Sequence, residues 1–268
     1  MNKGDQRLDK SPDSEYVALL PAAGIGSRLP GRDSSKELLP FRDGSKDDRP
    51  VISHVLSCIQ QAGIDNVIVV LRHGKQDIYD YLTSKEWQHI NFVFKFTPGT
   101  SGVPETVALG LDEFQAQRIL FGFPDILFEP RDAYIKLMRR LESTGADVVL
   151  GLFPTNSPGK MDMVDVNDDG HVSGIEIKPE RTTLALTWIL AAWQPSFSTY
   201  LCDLVQDNPA RIAKLAANPG GSHLGHVFQL AMADGMLINS MSFEHGRSLD
   251  IGTPDDLHVA SNWLDRND

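Results

Sequence analysis

Arg28, Lys36, Asp125, Lys178 and Asp250 are residue types that phosphate chemistry uses, and each stands in a local sequence suited to that use. Arg28 and Lys36 follow a run of small residues, Ala22, Ala23, Gly24, Gly26 and Ser27, which continues the apolar segment Val17-Ala18-Leu19-Leu20. Small residues let backbone N–H groups approach and cradle an anion. Arginine adds a planar fork for phosphate oxygens and lysine a mobile point charge. The loop lacks the Gly-Lys-Ser/Thr of a P-loop and the third glycine of the dinucleotide fingerprint. What marks it is the ordered pair of cations. Asp125, in Phe-Pro-Asp-Ile, and Asp250, in Ser-Leu-Asp-Ile-Gly-Thr, each stand where a strand should end. Taken singly, an aspartate there reads better as a turn or cap residue. Taken jointly beside a cationic loop, two such carboxylates suit Mg²⁺, which takes its other ligands from water and substrate phosphates. Lys178, in Glu-Ile-Lys-Pro, is a third cation at a strand end, held by the following proline. The set fits a reaction between two anions, a phosphate attacking the α-phosphorus of a nucleotide, where flanking cations lower the barrier.

The elements that would position these residues alternate. The spacing predicts a buried strand at 17–20, a helix from Pro50 to Ala62 and a strand from Asn66 to Leu71, together one βαβ unit. A helix near 76–84, a strand at 90–96, a helix from about 104 to 114 and a strand at 118–123 follow. A helix near 131–143 then leads to a strand at 147–153. The next stretch, MDMVDVNDDGHVSGIEI, is a hairpin turning at Asp169-Gly170. A strand at 184–193, helices at 195–215 and 223–233, a strand at 236–243 and a helix at 254–264 complete the chain. The fold class expected is α/β: a Rossmann-like three-layer α/β/α domain with a mixed, mostly parallel central sheet and a β-rich second half. Residues 1–14 read as a disordered leader and residues 15–268 as one catalytic domain.

Composition narrows the partners. A net charge of −11 argues against a nucleic-acid backbone as partner, because that binding needs clustered Lys and Arg. No run approaches about 20 apolar residues, so no membrane span is expected. The N-terminus has no apolar secretory core. The only two cysteines, Cys58 and Cys202, read as small buried hydrophobes, and their scarcity fits a cytoplasmic location.

The sequence resembles the sugar nucleotidyltransferases, the glucose-1-phosphate thymidylyltransferases and uridylyltransferases. The resemblance rests on Ala23-Gly24-Ile25-Gly26-Ser27-Arg28-Leu29, Ser35-Lys36-Glu37-Leu38-Leu39-Pro40, the spaced Gly102 and Gly110, Asp125, Glu176-Ile177-Lys178-Pro179 and Asp250-Ile251-Gly252-Thr253. It implies a nucleoside triphosphate (UTP or dTTP) and a sugar-1-phosphate as partners, with Mg²⁺ as cofactor. Arg28 would hold the departing pyrophosphate, Lys36 the α-phosphate and Lys178 the sugar phosphate, with Asp125 and Asp250 on the metal. Ala22, Ala23, Gly24, Gly26, Ser27, Thr97, Gly102 and Asp125 would line the nucleotide, and Glu176 and Thr187 would reach the sugar phosphate.

The chain departs from that pattern on the base and sugar sides. The base-reading Gln is replaced by Thr97, the second Glu of Glu-Glu-Lys-Pro by Ile177, and Thr-Gly by Thr187-Trp188. Two other readings therefore stay open: a cytidylyltransferase for a polyol or choline-type phosphate, and a non-catalytic nucleotide-sensing domain. Oligomeric state, homo-oligomer included, is open too. His223-x-x-His226 would need further ligands to hold zinc.

Overall fold

The structure, a computed structural model, describes residues 15–24, 34–42, 48–215, 221–260 and 263. The leader lies outside the described residues. In chain order the first elements are β1 (Tyr16–Ala22), the short strands β2 (Pro40–Phe41) and β3 (Arg49–Pro50), α1 (Ile52–Gln61) and β4 (Asn66–Arg72). Next come α2 (Gln76–Leu82), β5 (Asn91–Thr97), α3 (Val103–Leu111), β6 (Arg118–Gly122), β7 (Ile126–Glu129) and α4 (Ala133–Thr144). The second half runs β8 (Val148–Pro154), β9 (Asp162–Val166), β10 (Val172–Ile177), β11 (Leu186–Trp193), α5 (Pro195–Asp207) and α6 (Pro209–Leu215). It closes with α7 (Leu224–Ala233), β12 (Ile238–Ser242), β13 (Arg247–Asp250) and α8 (Pro254–Ala260).

The main sheet runs β5-β4-β1-β6-β11-β8-β12, and in that order only β11 is antiparallel to its neighbours. The β9–β10 hairpin joins through Thr187 of β11, which pairs with Met163. Because side chains alternate along a strand, β1 feeds two cores. Ala18, Leu20 and Ala22 face α1, α2 and α4, while Val17 and Leu19 face α3, α5 and α7. Apolar residues on both faces of β1 and β4 explain why these strands read as continuous apolar runs. The expected three-layer architecture and mixed, mostly parallel sheet are what the structure has. No helix among the described residues is long and apolar enough to cross a membrane.

Two differences from the sequence reading matter. The helix expected at 195–215 is two, because Pro209 cannot donate into the turn before it, and α5 ends at Asp207. The strands β7 and β13 were not expected at all. Each has four residues, and they pair with each other outside the main sheet, in register Arg247↔Glu129 through Asp250↔Ile126. Arg247 Nε donates to Glu129 Oε2 at 2.9 Å across that pair, and its guanidinium lies 4.5 Å from the centre of the Trp263 ring. A small third core of Leu39, Phe41, Val51, Leu127, Ile251, Ala260 and Trp263 packs beneath it. Asp250 thus ends a strand, as expected, but the strand is β13 outside the main sheet.

Candidate active site

The carboxyl ends of β1, β4 and β6 open into one cavity of about 400 Å³, the position where α/β sheets bind ligands. Ala23 and Gly24 from the end of β1, Lys36, Asp125, Lys178 and Asp250 all line it. Ala22 is fully buried at the end of β1. Gly26, Ser27 and Arg28 lie outside the described residues.

Lys36 sits in a short 3-10 turn (Lys36–Leu38) that is tied down on both sides. Before it, Ser35 donates its backbone N–H to Asp77 Oδ2 at 2.6 Å and its hydroxyl to Asp77 Oδ1 at 2.9 Å. After it, the Glu37 carboxylate accepts from Lys75 Nζ at 2.7 Å, with side-chain exposures of 2% and 11%. Both anchors come from the start of α2, so the turn cannot drift from the sheet edge. Lys36 itself ion-pairs with Asp125. Burial alone would lower the Lys36 pKa, but the Asp125 carboxylate, helped by Glu37 and Asp250, overrides it and holds the pKa above the usual lysine value. Burial raises the Glu37 carboxyl, while Lys75 opposes that and Asp125 adds to it.

The β7–β13 pairing brings Asp250 to Asp125. Ile251 donates its backbone N–H to the Asp125 carbonyl at 3.0 Å, one residue past the Asp250↔Ile126 register. Two carboxylates from distant parts of the chain therefore face one cavity, with Lys36 paired to one of them. This donor set fits a hard divalent cation that draws its remaining ligands from phosphate and water. Among the described residues no group of three His, Cys, Asp or Glu side chains could hold a metal alone.

Gly102 also lines the cavity, at the start of α3. A Cβ there would lie 2.1 Å from Ser222 Oγ and 2.5 Å from the Ser222 carbonyl, so the position demands glycine for space. Gly110, in the same helix, lets α3 close on Leu19 and Val70. Lys178 has φ of 44°, the one non-glycine residue with positive φ among the described residues, immediately before Pro179. The proline was expected to favour an extended conformation there. The left-handed backbone is instead a strained conformation of the kind that collects at functional sites.

Four expected site residues do not line the cavity, and the first of them is the fully buried Ala22. The Thr97 hydroxyl is engaged with the N–H and carbonyl of Gly99, each at 3.1 Å. Thr187 is fully buried and donates to the Asp162 carbonyl at 2.9 Å. Glu176 is exposed on β10 between the inward Ile175 and Ile177. In their place the cavity takes Glu37, Arg72, Lys160, Asp162, Trp188 and His223. Arg72, at the end of β4, lies against Gly99, where a Cβ would come within 2.1 Å of its guanidinium. A cation ending the second parallel strand was a usable signal. Asp162 and His223 carried none, since each is one polar residue at the edge of a patterned segment. Trp188 belongs to the core beside α7 and also forms part of the cavity wall.

Burial pushes the Asp162 carboxyl up to about 6, against the pull of Lys178 and the nearby Trp188 N–H. Burial, with Lys178 and His226 adding, lowers His223 to about 4, and burial with Lys178 lowers His226. His223 and His226 serve the amino end of α7. The His223 backbone N–H donates to His226 Nδ1 at 3.1 Å, which satisfies one of the donors a helix start leaves unpaired.

The site is thus a cationic cradle with a carboxylate pair at the edge of an α/β sheet, the arrangement of enzymes that handle nucleotide phosphates. Over residues 18–162, more than half its length, the chain matches the MobA-like NTP transferase domain family, and it belongs to that family. It is 30% identical over 129 residues to CMP-5'-(3-aminopropyl)phosphonate synthase from Streptomyces rubellomurinus, covering 47% of this chain and 20% of that protein. It is 22% identical over 249 residues to the low-salt glycan biosynthesis nucleotidyltransferase Agl11 of Haloferax volcanii, covering 91% and 64%. The chain thus spans less than two thirds of either relative. A Bacillus anthracis structure described as a glucose-1-phosphate thymidylyltransferase with sucrose superposes at a TM-score of 0.78, with 16% identity, over 94% of this chain and 96% of that one. At that identity the likeness is one of fold.

Proposed function

We propose that this protein is a nucleotidyltransferase that joins a phosphate-bearing acceptor, of the sugar-1-phosphate kind, to a nucleoside triphosphate and releases pyrophosphate. An acceptor oxygen attacks the α-phosphorus in line. The bond from that phosphorus to the β-phosphate oxygen breaks, and pyrophosphate leaves with the electron pair. Lys36 neutralises the α-phosphate, Lys178 the acceptor phosphate and Arg28 the departing pyrophosphate. Ala23, Gly24, Gly26, Ser27 and Gly102 frame the nucleotide, with Ala22 packed behind them in the core. Asp125 and Asp250 would hold Mg²⁺, which when bound would supply charge neutralisation. No protein nucleophile is needed, because positioning and charge carry the catalysis. The observation that carries this reading is the convergence of Lys36, Asp125, Asp250 and Lys178 on one cavity. UTP or dTTP is the nucleotide in this reading.

A second acceptor class is favoured by one observation, the Asp162 carboxylate in the cavity wall. The Streptomyces relative is named for a CMP-linked aminopropyl phosphonate, which brings CTP and an amine-bearing acceptor into the test.

The test is a matrix of CTP, UTP and dTTP against sugar-1-phosphates and other phosphate acceptors, with Mg²⁺ and pyrophosphate detection. Acceptor-dependent pyrophosphate that disappears in Lys36→Ala and Asp125→Ala is the expected result. A folded protein that binds triphosphate and never releases pyrophosphate is a sensor, and the transferase reading is then wrong.

A further inference from the structure

We propose that Asp162 is the residue that selects the acceptor, and that it selects one carrying an ammonium group as well as its phosphate or phosphonate. The inference rests on the transferase reading above.

Asp162 opens β9 and faces the cavity. Its Oδ1 is buried with no hydrogen-bond partner among the described residues, and neither has the indole Nε1 of Trp188, which is also in the wall and close enough to draw the carboxyl pKa down. Room for the other oxygen is made by a missing side chain. A Cβ on Gly225, in the first turn of α7, would lie 2.6 Å from Asp162 Oδ2 and 2.6 Å from Ile177 Cδ1. The strand itself is fixed by the Thr187 hydroxyl on the Asp162 carbonyl. A carboxylate is therefore built into the cavity without a salt-bridge partner of its own. Lys178 acts on it as a counter-charge through space.

Charge accounting then decides the acceptor. In the transferase Lys178 is engaged by the acceptor phosphate. Once that dianion is bound, Asp162 is a desolvated anion that must share the Lys178 charge with it, which is costly. A hydroxyl at the far end of the acceptor would give it one hydrogen bond and leave the charge. An ammonium would do both. Its raised pKa records how poorly the empty site solvates the anion. The shared chemistry is an anion at one end and an ammonium at the other. An amino-sugar 1-phosphate and an aminoalkyl phosphate or phosphonate both have it.

The test uses matched acceptors that differ in the ammonium alone, each with CTP, UTP and dTTP. Glucosamine 1-phosphate is compared with glucose 1-phosphate, phosphoethanolamine with propyl phosphate, and 2-aminoethylphosphonate with propylphosphonate. In the wild type, kcat/KM for the charged member of at least one pair should exceed that of its neutral partner by about tenfold or more, as expected of a hydrogen bond to a charged group. Asp162→Asn keeps the shape and removes the charge, so it should erase that preference. The pair that shows the effect names the source. Equal use of charged and neutral acceptors by the wild type overturns the proposal while leaving the transferase standing, and this arm needs no variant to fold. Asp162→Asn that keeps the preference overturns it as well. Absence of pyrophosphate with every acceptor sinks the transferase reading, and the proposal falls with it.

Discussion

Lys75 does not line the cavity, yet its removal should damage both stability and turnover. Its Nζ holds Glu37 at 2.7 Å, and the pair is exposed by only 11% and 2%. The other carboxylate oxygen, Glu37 Oε2, is buried without a partner, so Lys75 is the chief compensation for that charge. In Lys75→Met the apolar stem is kept and the charge removed. Breaking a buried pair from one side costs about 3–5 kcal/mol, and the partial solvent access of Lys75 puts this case near 3. In a chain of this length that is a Tm drop of roughly 6–12 °C. Replacing both members, as Lys75→Met with Glu37→Leu, leaves no orphaned charge and should recover most of that loss. Stability is read from urea midpoints of the four proteins of the cycle. Glu37 has its pKa raised by burial, so its protonated form favours the fold: that contribution is present at low pH and lost as pH rises through the folded-state pKa. Without Lys75 the pKa rises further, so the stability gap between wild type and Lys75→Met should narrow as pH is lowered towards 5. Turnover should fall in both variants, since the turn carrying Lys36 has lost an anchor and small displacements of a catalytic group cost about 10²-fold. A single-variant cost below about 1 kcal/mol, or a double variant that simply adds the two single costs, would show that the pair is a solvated surface contact and would refute the reasoning.

Lys178→Gly and Lys178→Ala both remove the charge, but only glycine relieves the left-handed backbone at φ 44°. The glycine variant should therefore melt higher than the alanine variant, by about 1 kcal/mol, with turnover lost in both. Equal stabilities would mean the turn is not strained. Gly102→Ala should destabilise by about 1–3 kcal/mol and weaken triphosphate binding in calorimetry, because its Cβ meets the Ser222 carbonyl as well as the hydroxyl. Adding Ser222→Gly should restore only part of the loss. Full recovery would mean the backbone contact is harmless.

The sheet edge that carries the phosphates was legible because its chemistry dictates residue types locally. A strand must end in small residues, cations must follow, and Lys36, Asp125 and Lys178 could be picked without knowing what lies opposite them. Asp250 was legible as a residue and not as a position. The strand that places it, Arg-Ser-Leu-Asp, has no apolar alternation, and it exists because Glu129 of β7 meets Arg247 across the pair. Thr97, Glu176 and Thr187 were carried over from a resemblance whose motifs are weakest at the base and sugar. The structure shows the Thr97 and Thr187 hydroxyls engaged with backbone and Glu176 turned outward. Asp162 could not have been found from MDMVDV alone. Its role depends on Gly225 in a helix far along the chain and on a strand pairing through Thr187.

That division has a physical origin. Triphosphate handling repeats one problem, several negative oxygens on a common scaffold, and is solved by backbone N–H groups and mobile cations set on the parallel half of the sheet. Acceptor choice poses a different problem each time, so it is left to the hairpin β9–β10, the antiparallel strand β11 and the start of α7, which meet at Asp162. Lys178 stands where the two halves meet. It follows β10 directly, so the same hairpin that presents Asp162 also carries this cation to the cavity, where the proposed reaction puts the acceptor phosphate. A change in that hairpin would then alter which acceptor is taken and how its phosphate is held, while the turn tied by Ser35–Asp77 and Glu37–Lys75 keeps its hold on the nucleotide. Exchanging acceptors should accordingly need substitutions at Asp162, Trp188 and Gly225, with none at Lys36 or Asp125.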